Sequence, residues 1–109
     1  MLRVIDRRTI DEAANLLLRA APAGSRVILF GSYARGGADP ESDVDFLVVE
    51  PQVKDQIAEE VRLRKAVDDV DFAVDVLVMS RWTFEYWKDT PNTLAYEVVR
   101  EGKAYEPLA

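Results

Sequence analysis

The spacing of apolar positions predicts a helix followed by a short buried strand. Thr9 and Glu12 have the spacing of a capping box. Apolar residues around and beyond them recur at helical intervals: Ile10, Ala13, Ala14, Leu17 and Leu18. We expect this helix to end near Pro22 and Gly24, because both residues favour turns. Residues 26–30 form an apolar run that is long enough only for a buried strand.

The remaining elements are predicted from the same alternation of apolar runs and turn residues. They are, in order, a helical turn at 33–36, a strand at 42–49, a helix at about 52–68, a strand at 71–79, a helix opened by Ser80 or Thr83, a helix from after Pro91 to about Glu101, and an extended tail at 103–106. Val53, Ile57 and Val61 share one face of the helix at 52–68, and Gly102 should end the last helix. This order predicts a single α/β (α+β) domain over residues 1–109, with a small mixed β-sheet flanked by helices.

Two aspartates in the second predicted strand are candidates for a metal site. Side chains alternate along a strand, so Asp43 and Asp45 project from the same face, about 6.5 to 7 Å apart. Val44, Phe46 and Val48 lie on the opposite face and are expected in the core. Neighbouring carboxylates repel unless a cation lies between them, and a divalent metal with oxygen ligands suits that position. The alternative is that Asp43 and Asp45 only begin an exposed edge strand.

Asp75 lies inside an otherwise apolar strand and extends this argument. A lone buried carboxylate costs several kcal/mol unless it is paired or bound to a metal. If its strand lies beside that of Asp43 and Asp45, three carboxylates come together and suit a pair of Mg²⁺ or Mn²⁺ ions. The alternative is an ion pair with one of three arginines: Arg35, Arg62 or Arg64. Asp71, on the same face, is a reserve candidate at the strand entry.

Composition and charge exclude several classes of function. The chain has no cysteine and no histidine, so thiol nucleophiles, disulfides, zinc fingers and imidazole general bases are excluded. A net charge of −6 argues against a protein that coats nucleic acid, although it allows a nucleotide substrate. We expect no membrane span, because no apolar run approaches about 18 residues, and no signal peptide. A cytoplasmic chain is therefore expected.

Gly31 and Ser32 form a turn that can contact phosphate. A glycine permits a close backbone approach, and the start of the helical turn offers free N–H groups to an anion. The Ser32 hydroxyl adds a donor, and Arg35, one turn later, can meet a phosphate or an acid. The alternative is an ordinary strand-to-helix turn, since the segment is neither a Walker motif nor a dinucleotide-binding fingerprint.

These residues in combination resemble the DNA polymerase β-like nucleotidyltransferase superfamily. The resemblance lies in Gly31–Ser32, the Asp43-Val44-Asp45 strand and the later strand aspartate Asp75. The short chain, with its C-terminal pair of helices and the ending at residues 100–106, resembles the minimal nucleotidyltransferase (MNT) group. Many members of that group are the antitoxin of HEPN–MNT toxin–antitoxin pairs.

The resemblance implies roles for individual residues. Gly31 and Ser32 would hold the β- and γ-phosphates of ATP, and Arg35 would contact phosphate or the partner. Asp43, Asp45 and Asp75 would ligate two Mg²⁺ ions, and Asp75 would help to remove the acceptor proton. The implied reaction is transfer of AMP from ATP to a hydroxyl of a HEPN toxin, in particular a tyrosine, with pyrophosphate leaving.

Other functions remain open at this point. The chain can be a binding antitoxin that occupies a basic RNase toxin without chemistry, since its surface is acidic. A small-molecule nucleotidyltransferase is disfavoured because the chain has no room for an acceptor domain, and a template-directed polymerase because it lacks a basic groove. The segment after the third strand carries more aromatic residues than one helix face can bury: Trp82, Phe84, Tyr86 and Trp87. Either some of them are exposed as a partner surface, or two fill the core and the others are partly solvated.

Overall fold

A computed structural model describes residues 4–105 of the chain. The elements are α1 (Arg7–Ala20), β1 (Arg26–Phe30), α2 (Ser32–Arg35), β2 (Val44–Glu50), α3 (Gln56–Ala66), β3 (Val74–Ser80), α4 (Arg81–Trp87), α5 (Leu94–Glu101) and β4 (Lys103–Tyr105). This order confirms the α/β pattern predicted from the sequence. None of the described helices is long and apolar enough to cross a membrane.

The four strands form one mixed sheet in the order β3-β2-β1-β4. Strand β1 pairs antiparallel with both β2 and β4, whereas β2 and β3 pair parallel. A parallel pair needs a crossover connection, and α3 supplies it between β2 and β3. The N-terminal ends of β2 and β3 therefore lie side by side at one end of the sheet.

Helices cover both faces of the sheet, and each face has its own hydrophobic cluster. Val44, Phe46 and Val48 of β2 are buried with Leu17 of α1 and Leu63 of α3, as predicted for that face. The second cluster joins residues of β1 and β2 to Phe84 of α4 and to α5: Ile28, Phe30, Leu47, Val49, Ala95 and Val98. Burial of each large apolar side chain contributes about 1.5–3 kcal/mol, so β2 is the most strongly held strand.

Two of the predicted helices begin at other residues. Helix α1 begins at Arg7, because the Asp6 side chain accepts a hydrogen bond from Thr9 N at 2.8 Å and caps the helix in place of Thr9. Helix α3 begins only at Gln56, after its cap Asp55. Within it, Leu63 is the buried residue.

The predicted apolar face of the helix at 52–68 is wrong. Ile57 is 73% exposed and Val61 is also exposed, whereas Val53 precedes the helix and packs against the first cluster. The side of α3 that contacts the sheet is set by the path of the crossover, which local spacing of valine and isoleucine does not reveal.

The segment after β3 exposes most of its aromatic side chains. Ser80 caps α4 by accepting a hydrogen bond from Thr83 N at 3.1 Å, and Phe84 is buried in the second cluster. Trp82 is 71% and Tyr86 60% exposed, and their rings stack with centroids 5.1 Å apart. Trp87 is also exposed, so a single aromatic residue of this segment fills the core rather than two.

The C-terminal part has the predicted helix and extended tail, and the tail adds an edge strand to the sheet. Helix α5 ends at Gly102, and β4 then pairs with β1. A Cβ at Gly102 would collide with the Val98 carbonyl oxygen, so glycine is required there. The Tyr105 hydroxyl donates to Asp11 Oδ1 at 2.5 Å and ties β4 to α1. The predicted extension to Glu106 lies outside the described residues.

Glu50, at the far end of β2, is a buried acid that sequence reasoning missed. It is only 2% exposed, and its Oε2 atom has no hydrogen-bond partner among the described residues. Burial, and then a hydrogen bond with Glu59, raises the pKa of Glu50 to about 8. The Arg62 guanidinium bonds both Glu59 oxygens at 2.7 Å and lowers the pKa of Glu59 to about 2. Glu50 therefore keeps its proton near pH 7, and its carboxyl donates a hydrogen bond to Glu59.

This arrangement predicts a pH-dependent stability. Between pH 4.5, the ordinary pKa of glutamate, and about 8 the folded chain keeps a proton on Glu50 that the unfolded chain has released. The Glu50 contribution to the free energy of unfolding should therefore fall as the pH rises through this window, by at most about 1.4 kcal/mol per pH unit. Glu50→Gln keeps a donor for Glu59 and should flatten this slope in urea titrations at several pH values. The exposed Glu41→Gln should keep the wild-type slope, and an equal slope in Glu50→Gln would contradict this explanation.

Candidate active site

Three aspartates lie at the end of the sheet where β2 and β3 begin. In the parallel pair the Asp45 and Asp75 backbones are directly opposite each other, about 4.8 Å apart as in any pair of neighbouring strands. Asp43 comes just before β2 and is exposed. The strand of Asp75 thus lies beside that of Asp43 and Asp45, as the three-carboxylate hypothesis requires. Asp71 lies outside the strand, because β3 begins at Val74.

The charges of these aspartates act on one another. Burial, and then the negative charges of Asp75 and Asp43, raises the pKa of the Asp45 carboxyl above its usual range. Arg35 opposes this increase and Glu97 of α5 adds to it, both to a smaller extent. A cation among these carboxylates would relieve the repulsion.

Asp75 is not the lone buried carboxylate that its strand predicted. Its side chain is 48% exposed, and the Arg64 guanidinium is 3.3 Å from its Oδ1 atom. Arg64 also donates to the Val76 carbonyl oxygen at 3.3 Å. Because β3 is an edge strand, its outer side is open to solvent and to an arginine from α3. The ion pair considered as an alternative is therefore present, together with the position beside Asp45.

Gly31 lets the Asp45 carboxylate lie directly against the backbone. Its φ of 78° and ψ of −159° are accessible essentially to glycine alone. A Cβ at this position would collide with Asp45 Oδ2. The turn after β1 and the carboxylates of β2 are thus in contact.

The helical turn begins one residue earlier than predicted, at Ser32. The Gly31 carbonyl oxygen accepts from Ala34 N and Arg35 N, both at 3.1 Å. The Tyr33 hydroxyl accepts from Ile5 N at 3.1 Å and ties the turn to the segment before α1. Ser32, the first residue of this helical turn, is half-buried and lies near the end of β1.

Arg35 contacts acids of α5. Its Nη1 atom is 3.1 Å from Glu101 and 3.8 Å from Glu97. Glu97 is the residue of this site that sequence reasoning missed. Glu97 and Glu101 are four residues apart and so share a helix face, but only the packing of α5 shows that this face meets Arg35.

The donor set suits a divalent cation, although the carboxylates do not form a closed metal site. Carboxylate oxygens are preferred ligands of Mg²⁺, and burial, followed by the charges of Asp75 and Asp43, raises the pKa of Asp45. Within residues 4–105, no group of three or more acidic side chains is placed closely enough to hold a metal ion. An ion held by Asp43, Asp45 and Asp75 would require these side chains to approach one another and Asp75 to release Arg64.

Residues 10–104 match the family described as "Nucleotidyltransferase domain". The chain belongs to this family. The matched range contains the Gly31–Ser32 turn and all three aspartates. This confirms the resemblance to nucleotidyltransferases at the level of the family.

This nucleotidyltransferase domain is also similar to parts of curated proteins. It is 35% identical over 78 residues to the bifunctional uridylyltransferase/uridylyl-removing enzyme of Bordetella avium, covering 70% of this chain and 8% of that enzyme. It is 42% identical over 53 residues to a Methanocaldococcus jannaschii protein named "Putative protein adenylyltransferase MJ0141", covering 49% of this chain and 52% of that protein. The chain thus spans about half of one of these relatives and less than a tenth of the other.

Solved structures share the fold. A chain of a toxin–antitoxin complex with AMP-PNP superposes with a TM-score of 0.66 at 25% identity, covering 90% of this chain and 73% of that one. A complex of the tri-AMPylated Shewanella oneidensis HEPN toxin with its MNT antitoxin gives 0.62 at 22% identity, covering 94% and 74%. The predicted polymerase β-like fold of this nucleotidyltransferase domain is confirmed.

The contact between Gly31 and Asp45 predicts that adding a methyl group at position 31 will disturb the carboxylate of Asp45. Gly31→Ala should lower the free energy of unfolding by about 1–3 kcal/mol, because its φ is positive, and should displace the Asp45 carboxylate. Gly37→Ala is a matched control, since a Cβ there meets nothing within 4 Å. Urea unfolding and nucleotide binding would be measured for both variants. Equal behaviour of the two would show that Asp45 does not depend on this glycine.

The Arg64–Asp75 ion pair predicts competition with a divalent cation. Arg64→Gln should increase the affinity for Mn²⁺ by about threefold to tenfold, because a half-exposed positive charge beside Asp75 is removed. Arg62→Gln, on the same helix but paired with Glu59, is the control. Calorimetric titration with Mn²⁺ measures both. Unchanged or weaker binding in Arg64→Gln would exclude the competition.

Proposed function

We propose that this nucleotidyltransferase domain transfers AMP from ATP to a tyrosine hydroxyl of a HEPN-type toxin and thereby acts as its antitoxin. The observation that carries the proposal is the contact of Asp45 with Gly31 on one side and its pairing with Asp75 on the other. This arrangement joins a turn suited to phosphate to a cluster of carboxylates. We also propose that residues 1–109 act as one catalytic domain, in the cytoplasm, where ATP is available.

Each residue of the site has a part in the proposed reaction. Gly31 and Ser32 bind the β- and γ-phosphates through the turn. Asp43, Asp45 and Asp75 would hold Mg²⁺, which would supply charge neutralisation for the phosphates when bound. The acceptor oxygen bonds to the α-phosphorus, the bond from that phosphorus to the bridging oxygen breaks, and Asp75, half-exposed, receives the hydroxyl proton. Arg35, held by Glu97 and Glu101, is placed to contact phosphate or the partner.

Similar proteins support the substrate and the partner. The Methanocaldococcus jannaschii relative is named for protein adenylyltransfer. One structural neighbour contains AMP-PNP, and another contains an AMPylated HEPN toxin. The Bordetella enzyme is named for uridylyl transfer. UTP therefore belongs in the assay beside ATP.

A second candidate is a binding antitoxin without chemistry. The net charge of −6 suits a basic partner, and Trp82 and Tyr86 present a stacked aromatic surface. The ion pairs of Arg64 with Asp75 and of Arg35 with Glu101 are also compatible with a site that is not used for catalysis. Such a protein would silence its toxin without ATP.

Transfer of label from α-³²P-ATP, with α-³²P-UTP run in parallel, tests the proposal. A HEPN toxin and Mg²⁺ would be incubated with the wild-type protein, with Asp43→Ala/Asp45→Ala or with the control Glu85→Gln/Asp89→Asn. The control removes two exposed acidic charges, one in α4 and one just after it. We expect labelled toxin with wild type and control, and a loss of at least about 100-fold with the aspartate variant, because metal ligands contribute several kcal/mol. Label that survives in the aspartate variant would refute the assigned site. No label with wild type, in a complex that still silences the toxin, would favour the binding antitoxin.

A further inference from the structure

A cleft of about 930 Å³ opens beside the candidate active site. It lies between the start of α1, the loop from α2 to β2 and the segment just before β3. Apolar surface comes from Leu16, Tyr33 and Phe72, among others, and Asp43 is part of its wall. Because the segment at 69–73 leads directly into the strand of Asp75, the cleft and the carboxylates share one border.

Among the described residues that line this cleft, every charged side chain is acidic. The acidic residues that line it are Asp6, Glu12, Glu41, Asp43, Asp69 and Asp71. No lysine or arginine is found among its lining residues within the described part of the chain. Glu41, Asp69 and Asp71 are exposed, so their charges act on whatever enters. Glu12 is 3.8 Å from Arg8, both side chains being exposed, and Asp6 is engaged as the cap of α1.

The negative charge of the cleft indicates which reactant can bind in it. Apart from Asp43, which the proposed function assigns to Mg²⁺, the five other carboxylates would repel a triphosphate and would attract a cationic chain. The apolar floor suits the aliphatic stems of arginine or lysine, or an aromatic ring, while the acids at the rim meet the charged groups. The occupant that fits both features is a basic polypeptide segment.

We infer that the cleft binds a cationic segment of the acceptor protein and so brings the neighbouring hydroxyl to Asp43 and Asp75. The inference rests on the proposed function, for which it supplies the acceptor-binding surface and its charge preference. Asp69, Asp71 and Glu41 select the acceptor, and they take no part in nucleotide binding.

Two peptides of equal length test this assignment. One carries a tyrosine flanked by arginines, and the other carries the same tyrosine flanked by glutamates. Binding is measured by fluorescence anisotropy and transfer by label from α-³²P-ATP, for wild type, Asp69→Asn/Asp71→Asn, the single loop variant Glu41→Lys, and the control Glu85→Gln/Asp89→Asn. Affinity for AMP-PNP and thermal unfolding are recorded for every variant.

We expect the arginine peptide to bind at least about tenfold more tightly than the glutamate peptide. Asp69→Asn/Asp71→Asn should lose most of that difference, as should Glu41→Lys, with unchanged affinity for AMP-PNP, and the control should retain it. Equal binding of the two peptides, or an unaltered preference in the cleft variants, would overturn the inference. Weakened AMP-PNP binding with unchanged peptide binding would overturn it too, and would assign the cleft to the nucleoside.

The same experiment separates this inference from the proposed function. If the arginine peptide binds through Asp69 and Asp71, but neither the peptide here nor the toxin in the preceding assay is labelled, the transfer reaction is refuted and the cleft remains a binding site for a cationic segment. If both peptides are labelled equally well, the transfer reaction stands and the cleft assignment is refuted.

Discussion

The register between β2 and β3 is the constraint on which the candidate site depends. Asp45 and Asp75 meet because the two strands run parallel and pair residue for residue from Val44 and Val74 onward. A slip of one residue would turn Asp75 to the opposite face, among Val44, Phe46 and the α1 and α3 side chains. Burial of an unpaired carboxylate there costs several kcal/mol, so the hydrophobic core itself maintains the register that brings the acids together.

Arginines from distant segments then balance this concentration of negative charge. Arg64 approaches Asp75 from α3, and Arg35 links the turn after β1 to the acids of α5. Neither ion pair is deeply buried. A cation can therefore replace Arg64 beside Asp75, and a phosphate can replace the glutamates beside Arg35, at low free-energy cost. The backbone of the site is thus held in place by Gly31 and by the pairing of β2 with β3. The ion pairs of Arg64 and Arg35 remain exchangeable.

Much of the fold could be predicted because its signals are local. The run at 26–30 is strongly apolar and became β1 without change, and Gly102 ended α5 as its position indicated. The face of α3 could not be predicted, because Ile57 and Val61 have helical spacing yet point away from the sheet. The buried Glu50 also escaped detection: a charged residue at a strand end resembles a surface residue until the partner Glu59 is placed beside it by α3.

The sequence by itself determined the order of elements, the glycine turn and the set of candidate carboxylates, since these depend on residue type and on spacing over a few positions. The tertiary structure decided which of those groups meet. It placed Asp75 opposite Asp45, left it half-exposed on an edge strand with Arg64, and directed Arg35 toward Glu97 and Glu101. Contacts between residues separated by 11 to 66 positions depend on how helices cross the sheet, and that geometry follows from packing of the whole core rather than from any local pattern.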